Sequence, residues 1–271
     1  MQNGYYQAVG AMATQFHQLE ITSNNLANVN TSGFKRDAAI VGSFERLIQE
    51  KRDEMNLENH TQKAAKFFNR TINHTPSIVE KFTNFSSGTI KLTGNSLDFA
   101  LKEGDLFFAV DTPQGVKLTQ QSSFVLDEKG FLSTKDGYKL LSSNFNSGGE
   151  RYIQYPEDSE VNADKSGNLY KKGEKFSAIY IGRVENLKEL KKEGDNLYAL
   201  GDKDLKDNIT PMIGVDVLSQ GSVVMSNVNA VNEMVSLIES NRLVEMYQKV
   251  MTSHMDDLNR DMITKIAPTR A

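Results

Sequence analysis

The stretch YYQAVGAMATQFHQLEITSNNLANVNTSGFK, residues 5–35, decides how the chain is read. Within it Tyr5, Val9, Met12, Phe16, Leu19, Ser23 and Leu26 recur at alternating steps of four and three, which sets one stripe along one side of a helix. The stripe reads as a coiled-coil seam with one polar gap at Ser23, while Gln7, Thr14 and Gln18 fall on the opposite side. The pattern stops at Asn28-Val29-Asn30-Thr31-Ser32-Gly33, where Asn and Gly favour a turn.

The far end of the chain repeats the theme. Leu237, Val244, Met251 and Leu258 recur every seventh residue, with Tyr247, Met255 and Met262 at the intermediate steps. This spacing predicts one long helix over roughly the last 40 residues. Its candidate caps lie in Ser226-Asn227-Val228-Asn229, Glu233 favours the positive helix start, and Pro268 marks the far limit. Glu239, Arg242, Glu245 and Lys249 are spaced to pair along the exposed side.

Between the two helices the texture changes to short apolar runs. Those in residues 96–110 and 115–142 are separated by Pro-Gln-Gly, Glu-Lys-Gly and Lys-Asp-Gly turns, a pattern of antiparallel β-structure. Further strands are expected at 175–184, 196–200 and 213–218. The fold class is therefore α+β, with terminal helices forming a coiled-coil-like axial core and an antiparallel β domain inserted between them. The expected divisions are 1–34 for the first helix and turn, 35–78 for an extended connector, 79–220 for the β-rich middle and 221–271 for the second helix. A helix in water must bury its apolar stripe. Each stripe can cover half of the other, and contacts with neighbouring copies would cover the rest, a head-to-tail arrangement that generates a filament.

Composition removes several functions. With 31 basic and 35 acidic residues well mixed and a net charge of -4, there is no broad basic surface for nucleic acid. No stretch approaches the ~18–20 apolar residues needed to span a bilayer. The first residues lack a cleavable secretory pattern, so neither a membrane span nor the general secretory route is expected. Cysteine is absent, and with it disulfides and thiolate chemistry. The four histidines, His17, His60, His74 and His254, show no metal-ligand spacing. Asp98, Glu103 and Asp105 could be imagined as the acid/base set of a carbohydrate-active enzyme, but β turns routinely carry solvated carboxylates. Asp164-Lys165-Ser166-Gly167-Asn168 departs from a calcium loop and reads as a hairpin turn, and 188–192 reads as a solvated charge cluster. No catalytic residue, cofactor or metal is assigned.

Three segments carry a resemblance. Ser23-Asn24-Asn25-Leu26-Ala27-Asn28-Val29-Asn30-Thr31-Ser32-Gly33-Phe34-Lys35 closely resembles the amino-terminal motif of the bacterial flagellar rod and hook family. Gln220-Gly221, Ser226-Asn227-Val228-Asn229, Glu233-Met234, Ile238, Asn241-Arg242 and Glu245 resemble its carboxy-terminal pattern. Residues 93–100 and 104–110 resemble the sheet signature of the rod proteins. The resemblance implies a non-enzymatic subunit that assembles with copies of itself and other rod proteins. It further implies passage through the flagellar type III export apparatus and a place in the rod that crosses the periplasm and transmits motor torque. The length resembles the two rod subunits of intermediate size, and the opening Gln2-Asn3-Gly4-Tyr5-Tyr6-Gln7-Ala8 is more similar to the proximal rod protein, with a distal rod or hook-type subunit as the alternative. Independently of the family, Asn24, Asn25, Asn28 and Asn30 are short amides suited to backbone groups at a helix end. Gly33 supplies a permissive φ, and Phe34 an apolar anchor after the bend.

Overall fold

The computed structural model describes residues 2–43, 76–145, 150–155, 161–200, 209–212 and 214–266. Most of the expected connector (44–75), His60, His74 and Pro268 lie outside them. The architecture is α+β, and the chain divides into two compact units. One is assembled from both ends of the chain, and the other from residues 28–36 and 84–228.

The unit built from the ends contains helix α1 (Gln2–Ala27), strands β1 (Asp37–Ser43) and β2 (Pro76–Thr83), and helix α2 (Ala230–Ile266). β1 and β2 pair antiparallel from Asp37 opposite Thr83 to Ser43 opposite Pro76. The register shifts between Ile40 and Val41, which leaves Val79 as an extra residue on β2. Asn229 caps α2: its side-chain Oδ1 accepts the N–H of Val231 at 3.0 Å and of Asn232 at 3.2 Å. On α1 the Thr14 hydroxyl lies 2.9 Å from the carbonyl oxygens of both Gly10 and Pro76, linking the helix to the start of β2.

The second unit is β-rich. Its largest sheet has nine antiparallel strands, and the seven on its main path run Leu190–Lys192, Leu197–Leu200, Gly115–Thr119, Leu106–Thr112, Lys139–Leu140, Leu132–Ser133 and Val125–Leu126. Ile181–Val184 pairs with both Leu106–Thr112 and Ile209–Pro211. The run Leu-Phe-Phe-Ala-Val at 106–110 is continuous rather than alternating because both faces of its strand are buried. Leu106, Phe108 and Val110 enter one core with Phe99, Phe124, Leu140 and Ile153. Phe107 and Ala109 enter the other with Leu118, Tyr198 and Ile209, and the Phe107 and Tyr198 rings meet edge to face at 5.7 Å.

Two strand expectations are corrected. Residues 175–184 form two strands, Glu174–Ala178 and Ile181–Val184, which belong to different sheets. The strand expected at 213–218 begins only at Leu218, after a bend at 214–216, and continues past Gly221 as Ser222–Val224. These two pieces pair with Phe99–Leu101 and Ile90–Leu92.

Candidate functional site

The motif residues fall in two places, one within each unit. In the unit built from the ends, α1 and α2 pack against each other. Among the described side chains, Ala8, Ala11, Thr14, Ile21, Thr22 and Asn25 are the buried positions of α1, and Glu233, Ser240 and Val244 those of α2. The most buried face of α1 is thus displaced from the expected stripe. Tyr5, Val9, Met12, Leu19 and Leu26 are half-buried and centre on another side of the helix, whereas Phe16 is 44% exposed and Ser23 is exposed. Small residues on the buried face let the helix approach its neighbours closely. On α2, Leu237, Tyr247 and Met251 are half-buried, Met255 and Met262 are exposed, and the Leu258 side chain lies outside the described ones. Arg242 and Glu245 are exposed.

Near the end of α1 a buried polar cluster joins three elements. Asn25 is 0% exposed; its Nδ2 donates to the Asp37 carbonyl at 2.8 Å, and its Oδ1 accepts the Asp37 N–H at 2.9 Å. The same Nδ2 stands 3.3 Å from Oε2 of Glu233, itself 1% exposed. Glu233, expected to serve the helix dipole, is therefore also an interior partner of Asn25. The Thr83 hydroxyl extends the cluster by donating to the Asp37 carboxylate at 2.7 Å. Asn24 and Ala27 are exposed. A groove of about 280 Å³ lined by His17, Ile21, Asn24, Asp37, Ile78 and Lys81 adjoins the cluster, below the volume of an ordinary ligand pocket.

In the β-rich unit the rest of the motif forms a crossing of three segments. Asn28 accepts from Thr31 through both its backbone and side-chain oxygens, at 3.1 Å each, while Asn30 is exposed. Gly33 has a φ of +74° and donates to the Val224 carbonyl at 2.8 Å. Phe34 is buried, with the Lys192 ammonium 3.8 Å above its ring. Lys192 is thus not part of a solvated charge cluster, because its aliphatic stem and cation cover an aromatic. Lys35 is 1% exposed and donates to the Ser86 carbonyl at 3.0 Å; burial pushes the pKa of its ammonium down to about 8. Asn227 accepts the Arg36 N–H at 2.8 Å and donates to the carbonyls of Asn84 and Ser86 at 2.8 and 3.1 Å. Ser226 accepts the N–H of Val228, which is buried. No signal in the sequence marks Asn84 or Ser86 as the partners of the motif, since they are reached only through the fold.

The imagined acid/base set serves the structure. Asp98 accepts from Thr93 at 2.6 Å and Asn95 at 3.2 Å, ordering its own turn, while Glu103 and Asp105 both pair with Arg183. Among the described residues no group of three or more His, Asp or Glu is placed to hold a metal, and no helix is long and apolar enough to cross a membrane.

Both ends match known families. Residues 6–35 match the model of the flagella basal body rod protein, and residues 219–264 that of the flagellar basal body rod FlgEFG protein C-terminal region. A relative named flagellar basal-body rod protein FlgG from Borreliella burgdorferi is 30% identical over 260 residues, covering 93% of this chain and 94% of its own. The chain belongs to the flagellar basal-body rod protein family. A relative named flagellar basal-body rod protein FlgF from Caulobacter vibrioides is 27% identical and covers 98% of both chains. The flagellar hook-basal body complex protein FlhO of Bacillus subtilis is also 27% identical, over 96% of this chain. As a rod-family protein the chain is a structural subunit serving motility, not an enzyme. The segments matched by the family models include the Asn25–Glu233 cluster and the segment from Gly33 to Lys35.

Proposed function

We propose that the chain polymerises through its terminal helices into the flagellar rod, the helical shaft that passes motor torque to the hook. One observation carries this reading. α2 has a second apolar row: Val231, Met234, Val235 and Ile238 are between 46% and 63% exposed. At 3.6 residues per turn this row lies on the side opposite Glu233, Ser240 and Val244. A helix apolar on both sides needs two partners. α1 supplies one, and α-helices of adjacent copies or other rod subunits supply the second, giving a coiled-coil axial core. In this reading α1 and α2 form the axial part of the subunit. Assembly draws on the motif residues from Asn24 to Phe34, Ser226 to Val228, and the helix positions Leu237, Val244 and Met251.

The subtype proposed is the proximal rod protein, supported by the opening segment with Tyr6 before Gln7-Ala8; relatives named FlgF and FlgG match at similar identity. The location proposed is the rod crossing the periplasm, reached through type III export. Val235→Asp with Ile238→Asp tests the assembly reading, since a charge is costly to bury without a partner. The variant should leave the monomer folded and be missing from purified basal bodies, with motility lost. Normal swimming and normal incorporation would overturn the reading. A tag in the middle domain, located by electron microscopy along isolated basal bodies, separates a proximal from a distal or hook position.

A further inference from the structure

Asn25 and Glu233 are separated by 208 positions in the chain, yet their side chains meet in the interior of the unit that both ends build. We infer that Asn25 sets the register of the two terminal helices by binding β1 and the first turn of α2 with a single side-chain amide. Its amide both donates to and accepts from the backbone of Asp37, at 2.8 and 2.9 Å, which fixes its position and plane relative to β1. From that position Nδ2 reaches the carboxylate of Glu233 in the first turn of α2, whose start is fixed by the Asn229 cap.

The remaining buried positions of the two helices discriminate register poorly. Ala8, Ala11, Thr14, Ile21 and Thr22 on α1, with Ser240 and Val244 on α2, are small or apolar. A slip of one helical turn, about 5.4 Å, replaces one such contact with a similar one. The same slip parts Glu233 from Asn25 and leaves polar groups in the interior without each other, a loss no apolar contact offsets. In coiled coils a buried polar residue on the helix seam specifies alignment by this mechanism. The two ends of the chain therefore order together: the first turn of α2 reaches its interior partner only when α1 and β1 are in place. This alignment is a property of the single chain and holds whether or not copies assemble.

Because the chain has no cysteine, Glu20→Cys and Gln248→Cys, both at exposed positions, would carry spin labels at those two sites alone. The interlabel distance in the full chain then reports register. The parent should give one narrow distance. Asn25→Ala and Asn25→Asp should broaden it or shift it by about 5 Å. Glu233→Gln should retain it, since the new carbonyl still accepts from Asn25. Val244→Ala controls for general destabilisation: it should lower the melting temperature and keep the distance. The inference is overturned if the Asn25 variants keep the parental distance, if Glu233→Gln loses it, if Val244→Ala shifts it equally to the Asn25 variants, or if the parent shows no narrow distance.

Discussion

The backbone carbonyl of Gln120 lies against the Cα of Gly33, so that a Cβ at position 33 would stand 2.0 Å from its oxygen. Gln120 has no freedom to retreat, because its side-chain amide donates to the carbonyls of Gly104 and Leu106 at 2.7 and 2.8 Å. Gly33 also adopts a φ of +74°, a region that L side chains enter only with strain. Gly33→Ala should therefore destabilise the β-rich unit by on the order of 3 kcal/mol, the sum of a strained backbone and an overpacked contact. Gly94→Ala is the control, with a φ of +75° but nothing within 4 Å of the added carbon. Its cost should be about 1 kcal/mol. Urea unfolding of the two variants checks the difference.

Lys35 gives the unit a definite dependence on pH. Its ordinary value of 10.5 falls to about 8 in the folded chain because the ammonium is buried. Below pH 8 both states hold the proton, and the cost of burying the charge is fully present. Between pH 8 and 10.5 the folded chain has released the proton while the unfolded chain keeps it. Stability therefore rises with pH across that window, by about 3 kcal/mol in total. Lys35→Met has nothing to titrate there. The difference in unfolding free energy between parent and Lys35→Met should slope from pH 8 to 10.5 and flatten outside it. Denaturant midpoints taken through that range measure it.

Asn227 joins three backbone segments through one side chain, accepting from Arg36 and donating to Asn84 and Ser86. Asn227→Ala removes these bonds together with one to the Ser86 hydroxyl and should cost about 2–3 kcal/mol, since partly buried groups lose their partners together. Asn227→Asp retains the acceptor for Arg36 but brings a carboxylate against the carbonyls of Asn84 and Ser86. It should be no better than alanine. Thermal melts of the two variants beside the parent check this order.

What a sequence reveals of such a fold follows from where the information sits. The run from Leu106 to Val110 announces a buried strand, because five consecutive apolar residues between turns have to be covered on both faces. The motif at 23–35 announces a family. The buried face of α1 is harder to find, because Ala8, Ala11 and Thr14 carry little hydrophobic signal and act through their small size. Periodicity favours the bulky residues on another side of the helix over the small ones at the contact. Nothing local marks β1 and β2 as a pair, because partners such as Asp37 and Thr83 are far apart in the chain. Glu233 reads as a helix-start carboxylate, and its meeting with Asn25 is a long-range contact that no local pattern encodes.

Leu237 and Phe16 separate pairing within the chain from contact between chains. Leu237 is half-buried on the side of α2 that carries Glu233, Ser240 and Val244, whereas Phe16 is 44% exposed on α1. A carboxylate at 237 enters the helix pair of the single chain, where it has to be desolvated. Leu237→Asp should therefore speed amide exchange along α1 and α2 in dilute monomer, and block incorporation as a consequence. A carboxylate at 16 stays in water while the chain is alone and is desolvated only under a neighbour. Phe16→Asp should leave monomer exchange at the parental rate and still abolish incorporation. Exchange on monomers, read beside basal bodies purified from cells expressing each variant, gives both measurements. A Phe16→Asp rod of normal composition would show that this part of α1 faces no other subunit.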